Sequence, residues 1–339
     1  MNYKPAAGPQ KPKKPYLHLF MLTVTALIWG ASYVSQKVGV EHVGTFTFNG
    51  VRMLVGGIVL LPFIPLLRKL GVSNKVDIQE ILAAKKVESV EDLPWYDRKP
   101  QLYGSIFAGL ALFAATSFQI YGIQLSNVGK AGFIISMYVV LVPLIGIFLG
   151  HKIRSVDWLA VVMAVVGLYL LSITGGFHIS KGDIYLILGS LSFTIHMLIQ
   201  RHYSNLVDCV ALSSAQFLIV GAVSLIPMFA LENPAWQGIL AAAIPILYSG
   251  ALSSGVGFTL QLIAMQRVPP NQAALITAQE STFSVFFGWA LLGETMTGRE
   301  LLGCAFMLAG ILISQLTPDK KSNAECEPLP KNADSYPKH

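Results

Sequence analysis

The chain has 339 residues, 53% of them hydrophobic and only 12% charged. A soluble globular domain carries about 25% charged residues, and here even the few present are segregated: of 24 basic and 18 acidic residues, 25 fall within 1–16, 68–100 and 317–339. The rest of the chain, more than three quarters of it, holds only 17. That is too few to wet a soluble surface, so the chain reads as a polytopic membrane protein.

In chain order, residues 1–16 form a basic tail that supplies +4 of the net charge of +6. The basic balance is therefore membrane-orientation chemistry and not a nucleic-acid footprint. The apolar run at 17–37 exceeds a signal-peptide core and is expected to stay as a span. Further runs follow at 45–67, 102–125, 128–150, 156–174, 183–201, 208–231, 238–265, 270–292 and 299–317. They approach or exceed the roughly 20 residues of a spanning helix, and none shows the alternation of a barrel strand. The fold class is all-α, with ten transmembrane helices. With the N-terminus inside, Lys and Arg divide 19 inner to 4 outer, which places both termini, including the 317–339 tail, in the cytoplasm of a cell-membrane protein. Segment 68–100 becomes a mixed-charge cytoplasmic loop. Ile78, Ile81, Leu82 and Val87 keep helical spacing there, and the segment reads as a solvated connector resting on lipid headgroups.

Internal repetition divides the chain. A shift of 164 positions aligns Leu22/Leu186, Gln36/Gln200, Leu54/Leu218 and Gly57/Gly221. Further on, a shift of 142 aligns Gln119/Gln261, Ala131/Ala273 and Ile134/Ile276, and one of 143 aligns Gly167/Gly310. The drop from the first offset to the second falls in 68–100, an insertion in the first copy alone. Two five-helix repeats are expected, 17–174 and 175–316. An odd helix count turns the second copy over, giving inverted repeats, a transporter architecture with a site near the midplane.

Glu280 is the only carboxylate well inside an expected span, an expensive position that points to function. It would meet a substrate amine or a coupling proton, with Thr277 and Ser284 on its face; the plainer role is a strut to Arg52. Arg52, within the second span, could bind an anionic group, but a structural ion pair or snorkelling is the commoner role. Polar and aromatic residues recur at helical spacing as Trp29, Tyr33 and Gln36; Ser117, Tyr121 and Gln124; Phe193, His196 and Gln200; and Ser254, Phe258 and Gln261. Such stripes suit a mixed cavity lining, though helix–helix glue is the commoner role of a single Ser or Gln. Nucleotide-binding, hydrolase and protease motifs are missing, so the reading is not an enzyme. Cys209, Cys304 and Cys326 keep neither disulfide nor metal spacing, so no cofactor or metal is implied.

The segments LIWGASYVSQK (27–37), FNGVRMLVGG (48–57), NVGKAGFIISMYVVLVPLIGIFLG (127–150), AQESTFSVFFGWALLGE (278–294) and LLGCAFMLAGILIS (301–314) together resemble the drug/metabolite transporter superfamily, EamA type. The resemblance runs from about residue 17 to 316. It implies inner-membrane residence and small-metabolite transport through a cavity lined chiefly by helices 1, 3, 4, 6, 8 and 9. Glu280 falls where that family often has an acid before a proline, here Ser281. Glu294 matches its frequent end-of-helix glutamate, which GHK (150–152) lacks in the first copy. The expectation is a secondary transporter exporting a small polar metabolite, an amino acid or related zwitterion, by alternating access. Glu280, Trp29, Tyr33, Gln36, Gln119, Tyr121, His196, Gln200, Phe258, Gln261 and Thr277 would bind it. The competing reading is a non-transporting scaffold or sensor acting through the 68–100 loop. Partners are a small-molecule solute and the bilayer, with no nucleic acid; proton or ion coupling and a homodimer stay open.

Overall fold

The computed structural model describes residues 15–69, 78–85, 87, 89–148, 155–172, 179–203, 206–265 and 276–316. Nearly all of the expected N-terminal tail and the whole C-terminal tail lie outside the described residues. Among the described residues every regular element is helical. The helices are α1 (Pro15–Gly39), α2 (Thr45–Leu60), α3 (Phe63–Lys69), α4 (Ile78–Lys85), α5 (Pro100–Gln124), α6 (Val128–Ser136), α7 (Tyr138–Phe148) and α8 (Ser155–Ser172). They continue with α9 (Lys181–Tyr203), α10 (Cys209–Leu231), α11 (Trp236–Ala241), α12 (Ala243–Leu247), a π-helical stretch (Tyr248–Gly257), α13 (Phe258–Met265), α14 (Glu280–Leu292) and α15 (Gly298–Leu316).

Six helical segments are long and apolar enough to cross a bilayer: Leu17–Gly39, Thr45–Lys69, Pro100–Gln124, Lys181–Tyr203, Cys209–Leu231 and Ala243–Ala264. The four other expected runs coincide with α6–α7, α8, α14 and α15, each flanked by residues outside the description. Large apolar side chains stay exposed on the bundle surface, Ile226, Phe229, Trp236 and Ile244 among them. Lipid can cover such a surface and water cannot.

Packing between the two halves is reciprocal. A Cβ on Gly57 would strike the side chain of Leu218, and one on Gly221 would strike Leu54. Both pairs obey the offset of 164, so α2 and α10 make one contact twice, running antiparallel. Ser214 Oγ donates to the Gly57 carbonyl at 2.8 Å. Gly50, the position that the same offset relates to Ser214, faces Ser224 and the Gly221 carbonyl. Helices α8 and α15 repeat the device: Gly167 approaches Gly303 and Met307, while Gly310 approaches Ala160 and Met163. Small residues allow this closeness where lipid offers no hydrophobic drive between helices.

The ends of α2 and α10 are matched in place but not in chemistry. Asp208 caps α10 through the Val210 and Ala211 amides, both at 3.0 Å, and pairs with Arg68 at 2.6 Å. At the other end stands Glu232, which the first offset relates to Arg68. It takes the Phe46 and Thr47 amides at 2.8 Å and caps α2. Each cap satisfies amides that a helix start leaves open.

The 68–100 insertion corrects the expectation of a solvated connector. Ile81, Leu82 and Leu93 are buried against Tyr203, Leu206, Val207 and Leu212. Fully buried Asp97 binds Lys85 at 3.0 Å and His202 Nε2 at 2.8 Å, and Tyr203 Oη donates to the Tyr96 carbonyl at 3.2 Å. The apolar face of α4 is real, but it covers the ends of α9 and α10 rather than lipid headgroups.

Candidate functional site

Two expected spans tighten by a turn at matched positions, with Met137 and Gln279 staying in the right-handed helical region. The run 128–150 turns at Met137, and α7 starts at Tyr138; the run 270–292 turns at 278–279, and α14 starts at Glu280. Tyr138 and Glu280 are related by the offset of 142 that links the two copies here. They also touch: Tyr138 Oη donates to Glu280 Oε1 at 3.1 Å, with both side chains buried. Ser136, two residues before Tyr138, donates to the Gly132 carbonyl at 2.8 Å, and Tyr33 lies beside the carboxylate with Gln119 adjacent.

Serine side chains add bonds to backbone carbonyls at this turn. Ser281 Oγ donates to the Ala278 carbonyl and Ser284 Oγ to the Ser281 carbonyl, each at 2.7 Å. Ser281 thus holds a turn where the resembled family places proline. Gly30 of α1 lies against the Glu280 carbonyl and Phe283, and Gly132 of α6 against Ser284, so both neighbours approach the turn closely.

The other predicted residues divide into two groups. Trp29 Nε1 donates to the Ser253 carbonyl at 3.1 Å, and its ring lies 4.8 Å from Phe258. His196 also faces Phe258, at 6.4 Å. His196 Nε2 is 3.0 Å from Gln216 Oε1, to which Gln200 donates at 3.4 Å. Gln36 donates to Ser32 Oγ at 3.3 Å, and its own Oε1 is buried without a hydrogen bond, as is Gln216 Nε2. Gln261 and Thr277 are buried, the latter just before the turn. Tyr121 stands apart, near the Glu232 cap, its ring 5.7 Å from that of Phe46 and 5.6 Å from that of Tyr185.

The expected strut between Arg52 and Glu280 does not form. Arg52 donates through Nε and Nη2 to Asn49 Oδ1 at 3.2 and 3.1 Å, and its guanidinium lies 5.8 Å from the Phe48 ring centre. Asn49 in turn donates to Thr116 Oγ1 at 3.0 Å. Glu280 instead takes its hydrogen bond from a neutral phenol, because α14 begins beside α7 and not beside α2.

Tyr138 and Gln216 were not singled out by spacing along one helix, since their partners sit on other helices. Offset arithmetic finds both: Tyr138 is 142 before Glu280, and Gln216 is 164 after Arg52.

One end of the bundle is closed by ion pairs. Lys37 binds Glu294 Oε1 at 2.7 Å and the Ser126 carbonyl at 2.8 Å, while Glu294 Oε2 accepts the Val128 amide at 2.7 Å. Lys130 pairs with Asp183 at 2.9 Å. These contacts join α1, α14, α6 and α9, the helices around Glu280. Gly293 positions Glu294: it ends α14 in the left-handed region at φ 67°, where a side chain is strained. Among the described residues no cluster of His, Cys, Asp and Glu could hold a metal ion.

Comparison with known proteins is consistent along the whole chain. Residues 17–173 and 180–316 each match the EamA-like transporter family. An uncharacterized transporter of Archaeoglobus fulgidus is 27% identical over 92% of this chain and 90% of its own length. The uncharacterized transporter YoaV of Bacillus subtilis is 24% identical over 88% and 96%. The uncharacterized inner membrane transporter YedA of Escherichia coli is 23% identical over 86% and 88%. A solved crystal structure aligns with TM-score 0.60 over 88% of this chain and 98% of its own, at 17% identity, a likeness of fold alone.

Proposed function

The chain belongs to the EamA-like transporter family, and on that premise we propose that it is a ten-span secondary carrier exporting a small amine-bearing metabolite, an amino acid or related zwitterion, by alternating access. The single observation that carries the reading is the Tyr138–Glu280 hydrogen bond, made by repeat-equivalent residues that each follow a tightened turn. The interface where two repeats face each other is where transporter sites form. Glu280 takes the amine or a proton; Tyr138 holds the carboxylate in place.

Antiparallel, reciprocal packing of α2 with α10 and of α8 with α15 supports inverted repeats. A two-fold axis that exchanges antiparallel helices lies across them, hence in the membrane plane. The charge distribution puts both termini in the cytoplasm, so the end closed by Lys37–Glu294 and Lys130–Asp183 faces outward.

The test is counterflow of an amino-acid panel in proteoliposomes, wild type against Glu280→Gln, over a range of pH. Export predicts faster movement in vesicles oriented so that the cytoplasmic face receives substrate. Unchanged rate and unchanged pH dependence in Glu280→Gln would sink the role of Glu280.

A further inference from the structure

Arg52 is a buried cation to which the amine-binding role of Glu280 gives no task. It is 3% exposed, in the middle of α2. Two of its five N–H groups reach one amide oxygen, Asn49 Oδ1. Among the described residues it has no carboxylate partner. Ion pairs are formed instead by Lys37, Arg68, Lys85, Lys130 and His202 with Glu294, Asp208, Asp97 and Asp183. A buried guanidinium facing only a neutral amide and the face of Phe48 is costly to keep. A mere helix contact does not need it, because the second copy carries neutral Gln216 at the equivalent position. The first copy thus holds a charge where the second holds an amide.

The position is also aligned with Glu280. On α5, Thr116 accepts from Asn49, the residue that Arg52 grips, and Gln119 stands beside Tyr33 and its neighbour Glu280. Thr116 and Gln119 are three residues apart, and such side chains are neighbours on one helix face, about 5–6 Å between Cβ atoms. One face of α5 therefore carries Thr116, which meets the Asn49 that holds Arg52, and Gln119, which meets the Tyr33 beside Glu280.

We propose that Arg52, held by Asn49 and Thr116, receives the carboxylate of the transported molecule while Glu280 receives its amine. The planar fork of an arginine matches a carboxylate with two parallel hydrogen bonds, and three N–H groups remain for it. The inference rests on the amino-acid reading above and adds to it the second half of the recognition: a solute with both charges, not an amine alone.

The purified full-length protein is tested by thermal shift and by equilibrium binding against the standard L-amino acids and their methyl esters, which keep the amine and mask the carboxylate. In the wild type, free acids bind more tightly than their esters by about tenfold or more, the range of a lost charged hydrogen bond. Arg52→Gln installs the residue the second copy already tolerates. It is expected to lose the preference for the acid while binding the ester as before, and Arg52→Lys to recover part of the preference. Equal binding of acid and ester by the wild type overturns the proposal, and that comparison needs no variant to fold. So does an Arg52→Gln protein that loses acid and ester together, since that is a structural role. If esters alone stabilise the wild type and Glu280→Gln abolishes that, the Arg52 assignment falls while the Glu280 reading stands. If nothing in the panel binds, both fall.

Discussion

The two copies of the repeat match along the α2–α10 seam and differ at the centre of the bundle. Around the α2–α10 seam the contacts are interchangeable: Gly57 on Leu218 and Gly221 on Leu54. At the centre they are not. Tyr138 faces Glu280, Arg52 stands where the second copy has Gln216, and the unbroken α5 corresponds to a helix interrupted by the π stretch Tyr248–Gly257. Wide π turns within helices are rare and concentrate at functional sites. Here Ser254 Oγ bonds the Ser249 carbonyl five residues back, at 2.9 Å, and the stretch supplies the Ser253 carbonyl to Trp29. The lesson is a division of labour: packing keeps the frame symmetric, and the two copies part at a few buried polar positions.

The comparison is broken hardest at its centre. Glu280→Gln is expected to lower transport by about 100-fold and Tyr138→Phe by about tenfold or less, because only the first removes a charge while the second removes one hydrogen bond; initial rates in proteoliposomes decide it, and equal losses would mean the pair acts as one unit. The frame comes next. Gly57→Val and Gly221→Val should each destabilise by about 1–3 kcal/mol through overpacking, read as matched shifts in the midpoint of thermal unfolding in detergent; strongly unequal shifts would end the claim of reciprocal packing. The caps sharpen the same point at smaller scale. Asp208→Ala and Glu232→Ala should each cost about 1–2 kcal/mol, the worth of a helix cap with its partner, but only Asp208→Ala releases Arg68. Raising salt should therefore narrow the gap between Asp208→Ala and wild type more than that for Glu232→Ala. Smallest is the insertion, which one copy has and the other lacks. Lys85→Ala removes a pair whose lysine is one-third exposed, worth up to about 1 kcal/mol, and should speed proteolysis within 68–100 while leaving transport intact.

Much of the frame was legible because it is written in residue type and period. Charge segregation marked the membrane, and the offsets of 164 and 142 marked the two copies before any contact was known. Glu280 was legible for the same reason: one acid in an apolar run stands out by its desolvation cost. Its partners were not. The spacing rule chose Tyr121, which lies in an aromatic cluster near the start of α2, over Tyr138, because periodicity reports which face of a helix a residue shares and not which helix that face meets. The tightened turns at Met137 and 278–279 were equally hidden, since neither contains proline. The insertion gave up its amphipathic spacing but not its target.

By itself the sequence determined that this chain dissolves in lipid, that it is built twice, and that one buried acid stands near its middle. Those properties follow from the transfer cost of side chains and from linear repetition, which depend on no contact. Tertiary structure alone decided that Glu280 meets Tyr138 rather than Arg52, that Arg52 keeps a neutral partner, and that one mouth is pinned by Lys37 and Glu294. Each of these joins residues far apart in the chain, and a hydrogen bond or ion pair is set by distance and direction in space, which no local pattern records.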